Sequence, residues 1–386
     1  MGEIAKTYSG GTPSIANKKF YIDGHIPFIK SGEIGSTRTE QKINYDGLNN
    51  SSARLIETGT LLYALYGATS GKAAISPIDG AINQAVLAII PQNNVNRFIY
   101  EWLNKNKSKI TGKYLQGGQG NLSAKIIKQI NIYISSKNEE LKISNILRIV
   151  NKIISLQQRK LSRLKEFKNT ILSEVLRVTN QKYPSLRLIN YKNNWKYKEL
   201  GNIGQFKSGT SLEKQFISKG ELKVINIGSY SEDHTYFDQN IRAKLNDITS
   251  KYLLNKNDLT MILNDKTTTG KIIGSVLLIP KNNSYIYNQR TERIIVDNTK
   301  YSPMFLYYFL NADNIRHEIV RRMQGGTQVY INIPTVKKIR YYFPELQEQN
   351  KLSNMLDKIN HFIIKQEKMI SSLNQLKQFL LQNMFI

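Results

Sequence analysis

The chain has 386 residues and no cysteine, and it carries 55 lysines and arginines against 29 acidic residues, for a net charge of +26. Without cysteine, disulfides, thiolate zinc sites and a cysteine nucleophile are excluded. The sequence has neither a run of eighteen apolar residues nor the pattern of a signal peptide, so we expect a cytoplasmic protein that does not span a membrane. The excess of positive charge favours nucleic acid as the partner over an anionic membrane or a merely solvated basic surface.

Short apolar runs bounded by glycine or proline occur in two separate parts of the chain, and their length favours buried strands. They cover residues 61–66 and 86–90 in the first part and residues 276–279 and 293–296 in the second. Helical patterns follow at residues 98–109 and 304–323, and each leads into a Gln-Gly-Gly turn. We therefore predict two globular modules of mixed α/β (α+β) structure.

A long heptad-patterned helix is predicted after each module. Taking Leu147 and Leu356 as first a positions gives about five heptads per copy, which favours a coiled coil over two helices within one large bundle. We expect the two helices to pack antiparallel, with the modules related by a pseudo-two-fold axis. Matching polar residues interrupt both seams, and we hypothesise that they set the register of the pair. These residues are Gln157 and Lys168 in the first copy and Gln366 and Lys377 in the second.

The long helices also carry start signals. Ser136 with Glu139 fits a capping box, and Pro344 with Glu345 fits a proline-led first turn with an acid at the positive end of the dipole. The predicted division of the chain is a first module at 1–138, a central long helix at 139–180, a linker and second module at 181–344, and a C-terminal long helix at 345–386.

The two halves of the chain repeat each other at an offset that is constant in the helices and variable in the modules. Gln157 and Gln366 lie 209 residues apart, as do Lys168 and Lys377, whereas Gly71 and Gly270 lie 199 apart. The modules therefore tolerate insertions and the helices do not. This pattern fits two variable binding surfaces on a scaffold of constrained length, reading two places on one nucleic acid.

The sequence shows no recognisable catalytic or metal centre. The histidines are scattered without ligand spacing, at His25, His234, His317 and His361. Residues 67–73 resemble a phosphate-binding loop, but only three residues separate the glycines and alanine stands where Ser or Thr would bind magnesium. We also find no adenine-methyltransferase motif and no glycine-rich cofactor fingerprint. We therefore expect a protein without catalytic activity that binds no metal or cofactor itself.

The binding candidates are polar loops that recur in both modules, since Lys, Arg and Ser position on phosphates while Gln, Asn and Arg read base edges. A tight turn that needs positive φ explains the Gln-Gly-Gly segments equally well. The strongest candidates are Gln116, Gly117, Gly118, Gln119 and Asn121 in the first module and Gln324, Gly325, Gly326, Thr327 and Gln328 in the second.

Three further groups of candidates are weaker. The first group is Tyr66, Thr69, Ser70 and Lys72 with Asn264, Lys266, Thr267, Thr268 and Lys271. The second is a strand-end group of Lys30, Ser31 and Asn226. The third is Arg290 with the amides Asn83, Gln84, Asn288 and Gln289, and these amides are more readily explained as structural.

The ordered, duplicated features resemble the specificity subunit of Type I restriction-modification systems. The segment from Pro344 to Gln349 (Pro-Glu-Leu-Gln-Glu-Gln) resembles the family's entry into its long helix. Residues 9–13 (Ser-Gly-Gly-Thr-Pro) are similar to its module opening, and residues 324–327 to its module-closing turn. Two features depart from the pattern. Ser135 and Glu140 stand where the second copy has Pro344 and Gln349. Nothing before Gly2 matches residues 195–200, so we expect either that the first module lacks an edge strand or that the true start lies upstream.

The resemblance implies a DNA-specificity subunit without catalytic activity of its own. It would recognise a split sequence in double-stranded DNA, one half per module, with the helix pair setting the spacer. Two methyltransferase subunits would carry S-adenosylmethionine and modify adenine N6, and restriction subunits would use ATP and Mg²⁺ for translocation. A DNA-binding architectural or regulatory protein outside restriction and a basic coiled-coil adaptor are the alternatives.

Overall fold

The structure is a computed structural model that describes residues 1–115, 121–176, 184, 186–189 and 191–385. It divides into two compact units. Unit 1 comprises residues 1–158 and 368–386, and unit 2 comprises residues 159–367. Each unit therefore contains one module and a part of each long helix. Among the described residues, no helix is apolar enough over sufficient length to cross a membrane.

The first module is a mixed α/β structure built on two four-stranded sheets. One sheet has the order β1-β8-β5-β6, and the other has the order β3-β2-β7-β4 with β2 and β7 parallel. The elements are β1 (Ala5–Ser9), β2 (Ile26–Ile29), β3 (Lys42–Ile43), α1 (Tyr45–Asn49), β4 (Arg54–Ile56), β5 (Leu61–Ala64), β6 (Ala73–Ile75), β7 (Gly80–Ile82), β8 (Val86–Pro91), α2 (Asn96–Lys105), α3 (Lys107–Leu115) and α4 (Ala124–Gln129).

Both strands predicted in this module are confirmed as β5 and β8. All four side chains of β5 are buried, which explains its continuous apolar run. The helical pattern predicted at residues 98–109 is confirmed but divided between two helices, because α2 ends at Lys105 and α3 begins at Lys107. Between them the Asn106 side chain donates to the Trp102 carbonyl at 2.9 Å, and this bond competes with continuation of the helix.

The long helices α5 (Lys137–Leu176) and α9 (Leu346–Met384) close the core of unit 1. Ile143 and Leu147 near the start of α5 share that core with Leu381 and Phe385 at the end of α9. The two helix segments in this unit are therefore antiparallel. Phe385 also packs on Phe98 of α2 with ring centroids 4.9 Å apart, so the module is built directly onto the helix pair.

The second module repeats the first with additional small pairings. Its main sheet has the order β10-β17-β13-β15, and the strand pair β11–β16 is parallel, as β2–β7 is in the first module. The elements are β9 (Lys196–Glu199), β10 (Gly204–Ser208), β11 (Leu222–Ile225), β12 (Arg242–Ala243), β13 (Leu259–Ile262), β14 (Asn264–Asp265), β15 (Val276–Leu278), β16 (Tyr285–Tyr287), β17 (Thr291–Val296), α6 (Pro303–Leu310), α7 (Asp313–Val320), β18 (Val329–Tyr330), α8 (Ile333–Lys337) and β19 (Arg340–Phe343).

The strands predicted at residues 276–279 and 293–296 are confirmed as β15 and β17. The helix predicted at residues 304–323 is interrupted, since α6 ends at Leu310 and α7 spans Asp313–Val320. The interruption serves the sheet: the Asn311 side chain accepts from Val276 N–H at 2.9 Å and donates to the Val276 carbonyl at 2.8 Å. These contacts hold the α6–α7 corner on β15.

The long helices are antiparallel in unit 2 as well. Lys165 on α5 forms an ion pair with Glu367 on α9, with Nζ 2.7 Å from Oε1, whereas further along α5 Ile171 and Val175 share a core with Leu352 and Leu356. Two similar mixed α/β modules and two long antiparallel helices therefore make up the fold, as the repeat predicted.

The starts of the long helices match their signals only in part. Ser136 Oγ accepts from Glu139 N–H at 3.4 Å, which is one half of the predicted capping box. The proline-led first turn is wrong, because α9 begins at Leu346 and Glu345 supplies the carbonyl that accepts the first helical bond, from Gln349 N–H at 3.0 Å. Pro344 lies one residue before this cap.

The second module has an edge pairing that the first module was expected to lack. β9 pairs antiparallel with β19, and Tyr197 packs on Tyr342 with centroids 4.7 Å apart. Within the described residues of the first module, the positions that match β19 are 131–134, and they form no strand.

Candidate nucleic-acid interface

Backbone pairing brings the candidate loops of the second module together. Leu263, which ends the strand region before the loop at residues 264–271, donates to the Arg290 carbonyl at 2.9 Å and accepts from Ile331 N–H at 2.9 Å. β14, at the start of that loop, pairs with β18, so Asn264 lies opposite Tyr330. Three sequence-distant candidate segments therefore converge at residues 264–271, at Arg290 and at residues 324–328.

The Gln324–Gln328 segment is the tip of a hairpin closed by Gln324 and Tyr330, which exchange backbone hydrogen bonds of 2.8 Å in both directions. Gly325 has a φ of +105°, and a Cβ there would lie 2.2 Å from the Gln328 carbonyl oxygen. The tight-turn explanation is thus confirmed for this copy. Gln324, Gly325, Gly326, Thr327 and Gln328 are all exposed, so the turn also presents its amides and hydroxyl outward.

The loop at residues 264–271 is shaped from inside by Asp265, which sequence reasoning missed. Asp265 is 5% exposed; its Oδ1 accepts from the N–H and the hydroxyl of Thr267, each at 2.9 Å, and its Oδ2 accepts from Ile272 N–H at 3.2 Å. With the carboxylate anchored in this way, Lys266 and Thr268 project as exposed side chains. The Thr267 hydroxyl already serves the turn, which leaves Lys266 and Thr268 as the free donors.

The charge around this loop pair is positive but partly neutralised. Lys266 and Arg290 are exposed, and Arg290 adopts a φ of +66°, which is uncommon for a non-glycine residue. Lys271 pairs with Glu232 at 3.0 Å, but both side chains are more than half exposed, so the pair contributes little to stability.

Two exposed arginines next to the hairpin were not among the predicted residues. Arg321 and Arg322 directly precede the turn, and both pair with Glu318, at 3.1 and 2.7 Å. Their contacts lower the pKa of Glu318, so this carboxylate stays charged and holds the guanidinium groups beside the turn. The adjacent arginines before Gln324 were the sequence signal that could have identified them.

The first module repeats the same framework. Leu65 N–H donates to the Ala85 carbonyl at 2.8 Å, and Leu122 N–H donates to the Leu65 carbonyl at 2.9 Å, matching the two bonds of Leu263. Asn121 is exposed beside this bond. Gln116, Gly117, Gly118 and Gln119 lie outside the described residues.

The loop that carries Tyr66 to Lys72 is closely held by its own backbone. The Ser70 hydroxyl donates to the Leu65 carbonyl at 2.7 Å, and the residue is 7% exposed, so this side chain supports the loop. Tyr66, Thr69 and Lys72 are half-buried. A Cβ at Gly71, which has a φ of +81°, would meet the side chains of Thr111 and Lys107 on α3.

That contact places the basic helix α3 beside the loop, which sequence reasoning also missed. Lys107 contacts the loop, and the exposed Lys109 and the neighbouring Lys113 lie on the same short helix. Lysines spaced through a helix that leads into the Gln-Gly-Gly segment were the available signal. In both modules, additional cations therefore flank the candidate loops.

The strand-end candidates Lys30, Ser31 and Asn226 differ in whether their side chains are already used in structural hydrogen bonds. Lys30 and Ser31 follow β2 and are half-buried, and Lys30 N–H donates to Glu33 Oε2 at 3.1 Å. Asn226 follows the equivalent strand β11, but its Oδ1 accepts from Gly228 N–H at 2.9 Å and caps a short turn. The geometry gives Asn226 a structural task.

The paired amides are structural, as predicted. Asn288 is 5% exposed, with Oδ1 accepting from Leu212 N–H at 2.9 Å and Nδ2 donating to Glu213 Oε1 at 2.8 Å. Hydrogen bonds from Ser211 and from Asn288 lower the pKa of Glu213 to about 2. In the first module, Asn83 Oδ1 accepts from Ala85 N–H at 3.1 Å. Both amides therefore fix the entry to the adjacent strand.

Each module is attached to its long helix by one matching side chain. Glu140 Oε2 accepts from Val95 N–H at 2.7 Å just before α2, and Gln349 Oε1 accepts from Ser302 N–H at 2.9 Å just before α6. The difference between Glu140 and Gln349 in the sequence therefore conceals one shared role.

Of the two seam glutamines, Gln366 is 6% exposed and Gln157 is half-buried; the hypothesis that they set the register stays a prediction.

Within the described part of the chain, no three His, Asp or Glu residues are grouped so that they could hold a metal ion. His234 makes structural contacts, with Nδ1 2.9 Å from Ser275 Oγ. Burial and the charge of Arg316 lower its pKa to about 4. The geometry instead supplies exposed amides, hydroxyls and cations on the loop pair of the second module, and exposed Asn121 and the lysines of α3 in the first module.

Comparisons with known proteins agree with this geometry. The family model described as the Type I restriction modification DNA specificity domain matches residues 1–166 and 192–378. The specificity subunit of the Type I restriction enzyme MjaVIII from Methanocaldococcus jannaschii is 19% identical over 374 residues, which cover 94% of this chain and 85% of that protein. The specificity subunit of EcoR124I/EcoR124II from Escherichia coli is 28% identical over 156 residues, covering 38% of this chain and 39% of that protein.

Solved structures show the same fold. The crystal structure of the S subunit of a Type I restriction-modification system from M. genitalium superimposes with a TM-score of 0.64 at 15% identity, over 100% of this chain and 94% of that one. A structure described as the basis of complex assembly and conformational transition of the Type I system gives a TM-score of 0.57 at 15% identity, over 100% of this chain and 96% of that one. Since the family model spans most of both halves, the chain belongs to the family of Type I restriction-modification DNA specificity proteins.

Proposed function

We propose that each module of this DNA specificity subunit binds one half of a bipartite duplex target through its converging loop pair. The observation that supports this most directly is the duplicated backbone framework at Leu65 and Leu263. It ties Leu122 to Leu65 and Ile331 to Leu263, each beside a candidate loop, and in the second module the candidate loops expose Gln, Thr and Lys side chains. Such side chains hydrogen-bond base edges and phosphates.

The long helices are proposed to carry the protein partners. Type I specificity proteins assemble with other subunits, and we infer two methyltransferase subunits and, in the full complex, restriction subunits. Exposed large apolar side chains on both helices support this surface, because such groups outside a core mark protein contacts. They are Ile146, Ile149, Leu376 and Phe379 in unit 1 and Phe167, Phe362 and Ile364 in unit 2.

The chemistry is proposed to reside in those partners. S-adenosylmethionine would be held by the methyltransferase subunits for adenine N6 methylation, and ATP and Mg²⁺ by the restriction subunits. We infer a cytoplasmic complex, since its substrate is chromosomal or incoming DNA.

The test is replacement of one loop in the complex with its methyltransferase, followed by selection of bound duplexes from a random library. Gln324→Ala with Gln328→Ala should relax the bases selected at one half-site and weaken binding by roughly 5- to 100-fold, the range for a lost base contact. Replacing residues 116–121 should change the other half only. A change in both halves from either replacement refutes the assignment of one half per module.

Asn298→Ser provides the matched control. Asn298 is exposed in the same module but lies beyond the end of β17 opposite to Arg290, a separation of about 20 Å along the strand. Selection should be unchanged. Failure of the unaltered complex to select any bipartite sequence would refute DNA specificity itself.

A further inference from the structure

The seam lysine of α5 reaches out of the helix pair to the second module. Lys168 Nζ donates to Asn360 Oδ1 on α9 at 3.0 Å and lies 5.9 Å from the ring centroid of Tyr308 on α6. Tyr308 is 5% exposed, and its hydroxyl donates to Asp357 Oδ1 on α9 at 3.2 Å. One lysine thus contacts both long helices and the first helix of the module.

By the repeat, Lys377 on α9 is the position in unit 1 that corresponds to Lys168. Burial raises the pKa of Glu101 on α2, and the charges of Arg97 and Lys377 oppose this rise. Glu101 is 2% exposed, and its Oε1 accepts from Asn151 Nδ2 on α5 at 3.1 Å. In each unit an asparagine on a long helix therefore makes a hydrogen bond at this place, with Glu101 of the module in unit 1 and with Lys168 in unit 2.

The correspondence follows the repeat residue by residue. Asn151 and Asn360 are 209 residues apart, as are the two lysines. Glu101 and Tyr308 are 207 apart, which is the same separation as Val95 and Ser302 at the starts of α2 and α6. The lysine, the asparagine and the residue of the module's first helix therefore occupy equivalent positions of the repeat.

The contacts around these lysines indicate that they do more than align the two long helices. A polar residue whose only task is register finds its partner on the facing helix of the coil. Lys168 also faces Tyr308 and the loop that carries Asp233, in addition to its partner on the facing helix. Burial lowers the pKa of Lys168, and the charge of Asp233 opposes this fall. Both lysines are half-buried at the junction between module and helices.

We propose that Lys168 and Lys377 are positioning residues that hold each recognition module at a fixed orientation on its stretch of the helix pair. This inference rests on the proposed bipartite function. Two linked binding sites act together only at the spacing that their linkage favours, because the linkage sets the effective concentration of the second half-site. A fixed module orientation therefore sharpens the preferred spacer, whereas the loops choose the bases.

The test uses the full chain with its methyltransferase and a set of duplexes that carry both selected half-sites separated by spacers of different lengths. Lys168→Met keeps most of the side-chain length but removes the cation and the donor. Affinity at the native spacer should fall roughly tenfold, as expected for a lost hydrogen bond to a charged group. Affinity at adjacent spacers should fall less, so the spacer preference broadens while the half-site bases stay the same. Lys377→Met should behave alike, and Lys168→Arg should retain the narrow preference.

Lys165→Met is the matched control, one turn away on the same helix. Lys165 is 53% exposed and forms an ion pair with Glu367 on α9, the other long helix, so its loss should leave spacer preference unchanged. Asn360→Ala removes the acceptor while leaving every charge in place, and it should broaden the spacer preference in the same direction. It therefore provides the test if a lysine variant fails to fold.

Unchanged spacer preference in Lys168→Met and Asn360→Ala, or equal broadening in Lys165→Met, would overturn the proposal. Altered base selection in Lys168→Met would overturn it as well, because a positioning residue acts on spacing alone. These results are distinct from failure of the proposed function, in which the unaltered complex selects no bipartite sequence.

Discussion

Gln349→Glu tests the contact that attaches the second module to its long helix. The Gln349 side chain is 1% exposed; its Oε1 accepts from Ser302 N–H at 2.9 Å, and its Nε2 donates to the carbonyls of Lys300 at 3.1 Å and Pro344 at 2.9 Å. Glutamate preserves the shape and the acceptor. It replaces the donor by an oxygen that faces two carbonyl oxygens.

The expected loss of stability follows from these contacts. Two lost hydrogen bonds cost about 1 kcal/mol each, and two buried carbonyls left facing a carboxylate raise the total to about 3–5 kcal/mol at pH 8. Burial beside carbonyls should raise the pKa of the new carboxyl above the unfolded value of about 4.3. The folded state then holds its proton more tightly than the unfolded state, so the deficit should grow as pH rises from about 4 and level off above the folded pKa.

Urea unfolding at pH 5 and pH 8, with hydrogen exchange of the α6 amides as the local probe, measures both effects. Gln347→Glu places the same carboxylate on an exposed position of the same helix and should change stability by less than about 0.5 kcal/mol. A Gln349→Glu deficit below about 1 kcal/mol at pH 8, or one that is equal at both pH values, would refute the assignment of the two donor bonds.

Two further predictions concern unit 2. Glu348 is 1% exposed and accepts from Arg187 Nε at 2.9 Å and Nη2 at 2.8 Å, so Arg187→Ala should cost about 3–5 kcal/mol by leaving a buried charge unpaired. A loss below about 1 kcal/mol in urea unfolding would contradict this. His234 has a pKa of about 4 in the folded protein and about 6.5 in the unfolded chain, so the unfolded chain binds the proton first as the pH falls. The free energy of unfolding should therefore fall by on the order of 3 kcal/mol from pH 6.5 to pH 4. His234→Gln should flatten that acid dependence, and an unchanged slope would argue against it.

Local periodicity was sufficient to predict the long helices and the central strands. The apolar runs at β5, β8, β15 and β17 are continuous because these strands are largely buried on both faces. The heptads of α5 and α9 are visible because they persist over 40 and 39 residues. In these elements the partner surface is uniform, so the pattern alone determines the structure.

The parts that escaped prediction depend on single contacts between distant residues. The break between α6 and α7 depends on Asn311 meeting Val276, and the shape of the loop at 264–271 depends on buried Asp265. Neither contact leaves a periodic trace. The candidate loops were recognised by composition, but composition did not separate Thr268, which is exposed, from Ser70, which donates inward to Leu65.

The contacts that repeat between the modules explain how the loops can vary without loss of the fold. The convergence of the loops depends on backbone bonds at Leu65 and Leu263, which any non-proline residue could make. A buried acceptor on each long helix, Glu140 or Gln349, contributes to the attachment of the module and lies away from the loop tips. A substitution at Gln324 or Thr327 should therefore change the side chains that the hairpin exposes, while the backbone bonds that position the hairpin remain. Because exposed groups and positioning groups are separate, one scaffold can carry two loop pairs of different sequence.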